Sequence, residues 1–294
     1  MNKTINILFG LIIFTACSVK PGKEKERIIE GKDIVADSGM VVSAHPQSSM
    51  IGVSILRRGG NAVDAAVATG FALAVCYPEA GNIGGGGFML IRTCDGKTEV
   101  IDYREKAPEY ASRDMYIDKS GNVTEGLSTD THLASGVPGS VDGMISAHKK
   151  YGRLPFKDVI QPAIDLAEKG FTVTSRQAMD FNSNRKTFLE RNSERPSFVK
   201  EAIWKEGDIL IQSELAGTLK RIRDWGREGF YSGRTARLMI REMKRSNGIV
   251  SEQDLKDYRS VSRVPLSDSY KGYKIITVPP PSSGRLGGDG GMSK

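Results

Sequence analysis

The sequence predicts a mixed α/β layered domain interrupted by a helical excursion. Three observations carry that prediction. A strand-like run and a helix apolar nearly all round come first, a long stretch of helical spacing fills the middle, and a strand-like run returns near the end. At 294 residues and 39% apolar content, the chain can bury a substantial core as one large domain or two ordinary ones.

Each element follows from local chemistry. "GMVVSAH" (39–45) reads as a short buried strand, and "PQSSMIGVSILRRGG" as a helix stopped by Gly59 and Gly60. Asn61 is placed to cap a second helix, "AVDAAVATGFALAV", whose lack of a polar face puts it inside the protein; Pro78 ends it. After the loop "PEAGNIGGGG", the runs "FMLIRT" and "KTEVIDYRE" predict two strands turning at Asp95-Gly96. "GSVDGMISAHKKYG", "PFKDVIQPAIDLAEKG" and "TSRQAMDFNSNRKTFLERN" have helical spacing, with Gly152 and Gly170 in stop positions. Helices are also predicted at "SELAGTLKRIRDWG", "GRTARLMIREMKRSNG" and "SEQDLKDY", the last opened by a Ser251-to-Asp254 capping pattern. "SYKGYKIITV" reads as the final strand. There is no internal repeat, and no linker composition after about residue 36.

Composition narrows the function classes. With 42 basic and 35 acidic residues the net charge is +7, which permits an anionic partner without requiring one. Between Arg176 and Arg263 the basic residues are interleaved with acids on helix-like segments, the pattern of solvated helix faces and not of a nucleic-acid surface. The N-terminus, "MNKTINILFGLIIFTAC", has one lysine, an apolar run from Ile5 to Phe14 and then small residues, the layout of a secretory signal peptide. That run is too short to span a bilayer. Its end resembles the bacterial lipobox, so residues 1–17 are expected to be a leader with Cys17 lipidated, ordinary cleavage or retention being the alternative. Residues 18–36 then form a tether, and the expected location is the cell envelope. Cys76 and Cys94 are expected as buried free thiols, with a bond across the intervening loop as the alternative. His45, His132 and His148 are scattered, and no metal-ligand spacing occurs.

Three stretches are candidates for chemistry. Gly84, Gly85, Gly86 and Gly87 leave bare backbone before a strand, open either to a ligand or to another backbone. The run is neither a P-loop, since no Lys-Ser/Thr follows, nor a dinucleotide fingerprint, since a strand follows it. In "VIDYREKAP", strand alternation puts Val100, Asp102 and Arg104 on one face, with Arg104 emerging beside the glycines. Its planar fork suits a carboxylate, although an Arg-Glu pair at a strand end is ordinarily surface electrostatics. "PPPSSG" would present Ser282 and Ser283 on a stiff extended stalk, or act as a connector.

Together these stretches resemble one family. "SAHPQSSMIGVSILRRGGNAVDAAVATGFALAVCYPEAGNIGGGGFML", "DYREKAP", "ASGVPGSVDGM" and "VPPPSSG" are similar, in this order, to the large subunit of γ-glutamyltransferase, also called glutathione hydrolase, from about Asp37 to Gly284. The resemblance implies an N-terminal nucleophile hydrolase αββα sandwich, here incomplete, and a precursor that cuts itself into two subunits. It implies a threonine nucleophile that attacks the γ-amide of glutathione, and transfer of the γ-glutamyl group to water or an amino acid. Arg104 matches the arginine that holds the α-carboxylate, with Asp102 and Glu105 orienting it. No cofactor and no nucleic-acid partner is implied. The nucleophilic threonine and the small subunit have no counterpart here, and "TDTH" (129–132) is only an echo of the expected junction. Residues 285–294 do not resemble the family, so the expectation is a large-subunit portion that is inactive by itself. A cephalosporin-acylase-type amidase of the same fold and a lipid-anchored binding module are the alternatives.

Overall fold

The centre of the fold is a helix buried on most of its surface, with only Ala62 and Ala66 exposed. In the computed structural model, which describes residues 34–192 and 194–283, helix α1 spans Pro46–Arg57 and α2 spans Ala62–Cys76. Val67, Ala68, Phe71, Ala72, Val75 and Cys76 of α2 are each completely buried. Asn61 starts α2 as predicted: its Oδ1 accepts from the amides of Val63 and Asp64 at 2.9 and 3.0 Å, and the Asp64 carboxylate takes the Asn61 N–H at 2.9 Å. Asp64 also accepts the Arg153 and Leu154 amides, so the start of α2 is tied to a distant loop. On α1, Gly52 allows close approach, since a Cβ there would lie 2.4 Å from Thr69 Oγ1.

Strands β1 (Phe88–Arg92) and β2 (Thr98–Asp102) pair antiparallel, with Phe88 opposite Asp102, and turn at Gly96 with φ of 83°. A third strand, β5 (Val261–Arg263), pairs with the other edge of β2 from far along the chain. Met89, Ile91 and Ile101 on one face of this sheet join the core, against which α3 (Ser140–Tyr151) packs. Helix α4 (Phe156–Lys169) lies between α2 and α7 (Ser213–Trp225). Strand β3 (Phe171–Thr172) pairs with β4 (Ile209–Leu210). Helices α5 (Ser175–Ser183), α6 (Arg185–Arg191), α8 (Glu228–Tyr231), α9 (Gly233–Arg245) and α10 (Glu252–Asp257) complete the helical stretch. All these elements lie in the unit that begins at Gly39; the segment through Ser38 is a separate unit. Among the described residues, no helix is long and apolar enough to cross a membrane.

The structure corrects four readings. Residues 39–45 are not a strand: Val42 is 83% exposed, and no strand pairs with the segment among the described residues. His45 instead caps α1, accepting the Gln47 amide at Nδ1. The helix predicted at 174–192 breaks at Asn184, whose side-chain amide donates to Asp180 O at 2.9 Å and competes with the helical backbone. The final strand is a hairpin, β6 (Leu266–Tyr270) against β7 (Tyr273–Thr277), because Lys271 and Gly272 both take positive φ. Finally, Cys94 is exposed on the β1–β2 turn; only Cys76 is buried, and both are free thiols. The leader, most of the tether, Gly284 and the tail 285–294 lie outside the described residues.

The two cysteines differ in reactivity. Burial pushes the Cys76 thiol up to about 12. At pH 8 its thiolate fraction is then about one in ten thousand. Brief treatment of the folded chain with iodoacetamide should therefore label Cys94 and spare Cys76 until urea is added. Equal labelling of both, read by peptide mass mapping, would contradict the burial of α2.

Candidate active site

The candidate site is built where β2 leaves the sheet. Asp102 is 7% exposed and does two jobs: its Oδ2 accepts from Arg263 Nε at 2.6 Å, and its Oδ1 accepts the Arg104 amide at 3.0 Å. The Arg104 side chain is half exposed, with Nε 3.5 Å from Glu105 Oε2 and the guanidinium 5.9 Å from the Phe88 ring centre. Asp102 therefore orients Arg104 through its backbone, and Glu105 steers the guanidinium. Among the described residues the two Nη groups of Arg104 make no hydrogen bond, which leaves the flat edge of the fork available.

That backbone is pinned from several sides. The Tyr258 hydroxyl donates to Arg104 O at 2.8 Å. Burial foremost, and then the carboxylates of Asp142, Asp102 and Glu105, raise the Tyr258 pKa, so the hydroxyl stays a donor. Lys106 and Val137 exchange amide bonds of 3.2 and 2.8 Å. Gly86 lies against the same turn, where a Cβ would stand 2.5 Å from Tyr103 O and 2.7 Å from Glu105 N. Gly139 is equally confined, a Cβ there falling 2.0 Å from Tyr103 O and 2.1 Å from Tyr258 Oη.

Tyr258 is in turn held by a buried ion pair. Asp142, in the first turn of α3, accepts from Arg227 Nε at 2.9 Å and from the Ser260 amide at 2.7 Å. Arg227 Nη2 also donates to the carbonyls of Leu255, Lys256 and Tyr258, the last at 2.6 Å, capping the end of α10. Tyr231 stacks on Tyr258 with centroids 5.7 Å apart and donates to Pro138 O at 2.8 Å.

Arg104, Glu105, Lys106 and Gly84 line one cleft of about 510 Å3, together with Tyr116, Leu133, Ser135 and Gly136. Of the glycine run, Gly84 alone lines this cleft. Gly85 to Gly87 serve packing, with Gly85 O accepting the amides of Gly139 and Ser140 and Gly87 pairing with Tyr103. The cleft lining does not include Ser282 or Ser283, and the stalk expected there is a turn closed by the Ser282 amide on Pro279 O. Sequence reasoning missed Tyr258, Asp142 and Arg227, which lie 154, 38 and 123 positions beyond Arg104. "SVDGM", quoted for the resemblance, contained the Asp142 signal.

Comparison with known proteins identifies the family. The family model for gamma-glutamyltranspeptidase matches residues 48–288. The chain belongs to that family. It is 45% identical over 257 residues to the glutathione hydrolase proenzyme of Escherichia coli (strain K12), covering 85% of this chain and 44% of that protein. The crystal structure of Helicobacter pylori gamma-glutamyltranspeptidase superimposes with a TM-score of 0.83 at 46% identity, covering 86% of this chain and 73% of that one. The acylase ACY 1 proenzyme of Pseudomonas sp. (strain V22) is 39% identical over 264 residues, 86% of this chain and 47% of that protein. The chain thus spans less than half the length of these curated relatives. Its fold is the α+β architecture of the N-terminal nucleophile hydrolases, and the family is one of γ-glutamyl-transferring and glutathione-hydrolysing enzymes.

Removing Arg227 tests the support of the site. Arg227→Ala leaves Asp142 buried and uncompensated, which should cost about 3–5 kcal/mol in urea unfolding. A loss within about 0.5 kcal/mol, as at an ordinary surface position, would remove the ion pair from its supporting role.

Proposed function

We propose that this chain is the glutamyl-binding portion of a γ-glutamyltransferase, with Arg104 gripping the α-carboxylate of a γ-glutamyl amide such as glutathione. The observation that carries this reading is the Arg104 guanidinium, half exposed at a cleft, with its Nη edge unused and its backbone fixed at both amide and carbonyl. A carboxylate meeting that edge forms two parallel charge-assisted hydrogen bonds, which fix the orientation of the glutamyl group as well as its position. Glu105 keeps the fork from rotating and disfavours a ligand with a second carboxylate beside the first.

The chemistry needs more than this cleft. Acyl transfer requires a nucleophile with a base beside it and donors aimed at the developing oxyanion. Among the described residues lining the cleft, no hydroxyl is hydrogen-bonded to a histidine or amine. The nucleophile in this reading is a threonine on the small-subunit partner. Its hydroxyl attacks the γ-carbonyl carbon, its own amino group relays the proton to the departing amine, and a γ-glutamyl ester remains for water or an amino acid. The chain by itself then binds but does not turn over.

Arg104→Lys in the complete enzyme should weaken substrate by roughly 1.5–3 kcal/mol, seen mainly in KM for a γ-glutamyl anilide. Unchanged KM and kcat would exclude Arg104 from the site. The likeness to an acylase proenzyme and to a cephalosporin acylase structure supports a second reading, an amidase acting on glutaryl-cephalosporanic acid. Faster hydrolysis of that compound than of the γ-glutamyl anilide would select it.

The envelope location includes an anchor at Cys17 in this reading, since an apolar run ending in small residues precedes that cysteine. A multiply acylated cysteine holds firmly where a single chain would not. Cys17→Ser should move the protein from the membrane fraction to the soluble envelope fraction. A wild-type protein already soluble there would end the lipidation proposal.

A further inference from the structure

Helices α7 and α9, joined through α8, enclose a second cleft of about 710 Å3 that shares no lining residue with the Arg104 cleft. Its walls carry three guanidinium groups, Arg221 from α7 and Arg234 and Arg241 from α9. Arg221 is partly buried and hydrogen-bonded only to neutral hydroxyls, Nε to Thr235 Oγ1 and Nη2 to Thr218 Oγ1, each at 2.8 Å. Those hydroxyls are themselves committed as donors, to Gly229 O and Glu214 O, so they orient Arg221 without neutralising it. Burial first, and then repulsion from Arg234, lowers the Arg221 pKa. Arg221 and Arg234 line the same cleft, and neither forms an ion pair among the described residues.

The carboxylates nearby do not resolve this imbalance. Glu194 pairs with Arg245, and Glu242 pairs with His132 and Arg245. Only the Glu214 carboxylate is left among the described acidic groups of the cleft, set against three arginines that form no ion pair among the described residues. With Arg245 counted once, four arginines stand against three carboxylates, an excess of one positive charge that becomes two when His132 is protonated. Gly217 adds a structural sign: a glycine inside a helix costs stability relative to alanine. Here it leaves the cleft wall bare beneath Arg221, with a Cβ at that position 3.6 Å from Arg221 Nη1.

From this geometry we infer that the α7–α9 cleft is a binding site for a phosphoryl group, either free phosphate or the phosphate of a small monoester. A phosphate anion offsets the excess positive charge, and its several oxygens can accept from forks on two helices at once, where a carboxylate offers only two. The cleft, at about 710 Å3, leaves room for an organic group on the phosphate.

Calorimetric titration of the full chain, at fixed ionic strength in chloride, tests this with inorganic phosphate and with glycerol phosphate as probes. The expected result is saturable binding with one site per chain. Arg234→Gln and Arg241→Gln, both at exposed positions, should each weaken it roughly tenfold, the scale of one charge-assisted hydrogen bond. Gly217→Glu, which tethers a carboxylate beneath Arg221, should abolish binding, whereas Gly217→Ala should retain it. Equal affinity for the two probes assigns the site to free phosphate, and tighter binding of glycerol phosphate assigns it to a monoester. The proposal is overturned if neither probe gives saturable heat, or if the Arg234→Gln/Arg241→Gln double variant binds as the parent does.

Discussion

The contact between Asp142 and Arg227 is the constraint on which the candidate site depends. A carboxylate 4% exposed has lost its water and needs a charge partner and hydrogen bonds to offset that loss. Arg227 supplies the charge, and the Ser260 amide fills the second oxygen. The same guanidinium takes three carbonyls at the end of α10, so one side chain joins α3, α8, α10 and the approach to β5. Replacing such a pair by apolar residues is often neutral for stability. What the pair adds here is geometry: it sets where Tyr258 stands, and Tyr258 sets where the Arg104 carbonyl stands.

Arg104 itself is soft, a long side chain half in water. Precision comes from its backbone, held at the amide by Asp102 and at the carbonyl by Tyr258, while the guanidinium keeps enough freedom to meet a ligand. Glycines make this possible by removing side chains where backbones cross. Gly86 and Gly139 press on the Tyr103–Glu105 segment from two sides, and a methyl group at either would displace it. The glycine-rich loop thus contributes to function mainly by excluding volume, and only Gly84 reaches the cleft.

The net positive charge has a comparable division of labour. Some exposed basic side chains are paired with acids one helical turn away, as in Arg176–Asp180 and Lys186–Glu190. Arg221, Arg234 and Arg241 form no ion pair among the described residues and share one cleft, while Arg104 at the other cleft has Glu105 beside its Nε and leaves its Nη edge open. An unpaired guanidinium in a concave, partly dry site interacts with an anion more strongly than one on a convex surface.

Much of this protein was legible in the sequence, because the signals involved are local. The cap at Asn61, the buried character of α2, the β1–β2 turn and the capping box at Ser251 depend on residues within a few positions of one another. Arg104 could be raised as a candidate because a fork at a strand end beside glycines is a local pattern, whereas its role and the support from Asp102 and Glu105 came from the resemblance to the family. Pairing over distance was not legible. Residues 39–45 have strand composition and yet no partner strand among the described residues, whereas Val261–Arg263 became a strand because β2 offered it an edge. Composition suggested a buried Cys94, and its exposure follows from the turn on which it sits. Tyr258, Asp142 and Arg227 meet only after α3, α8 and α10 have packed, and the imbalance of charge between α7 and α9 exists only once the two helices face each other. Local propensity and spacing determine which elements form. The assembly of donors, carboxylates and bare backbone into sites is decided by tertiary contact, since desolvation and charge coupling act through space and not along the chain.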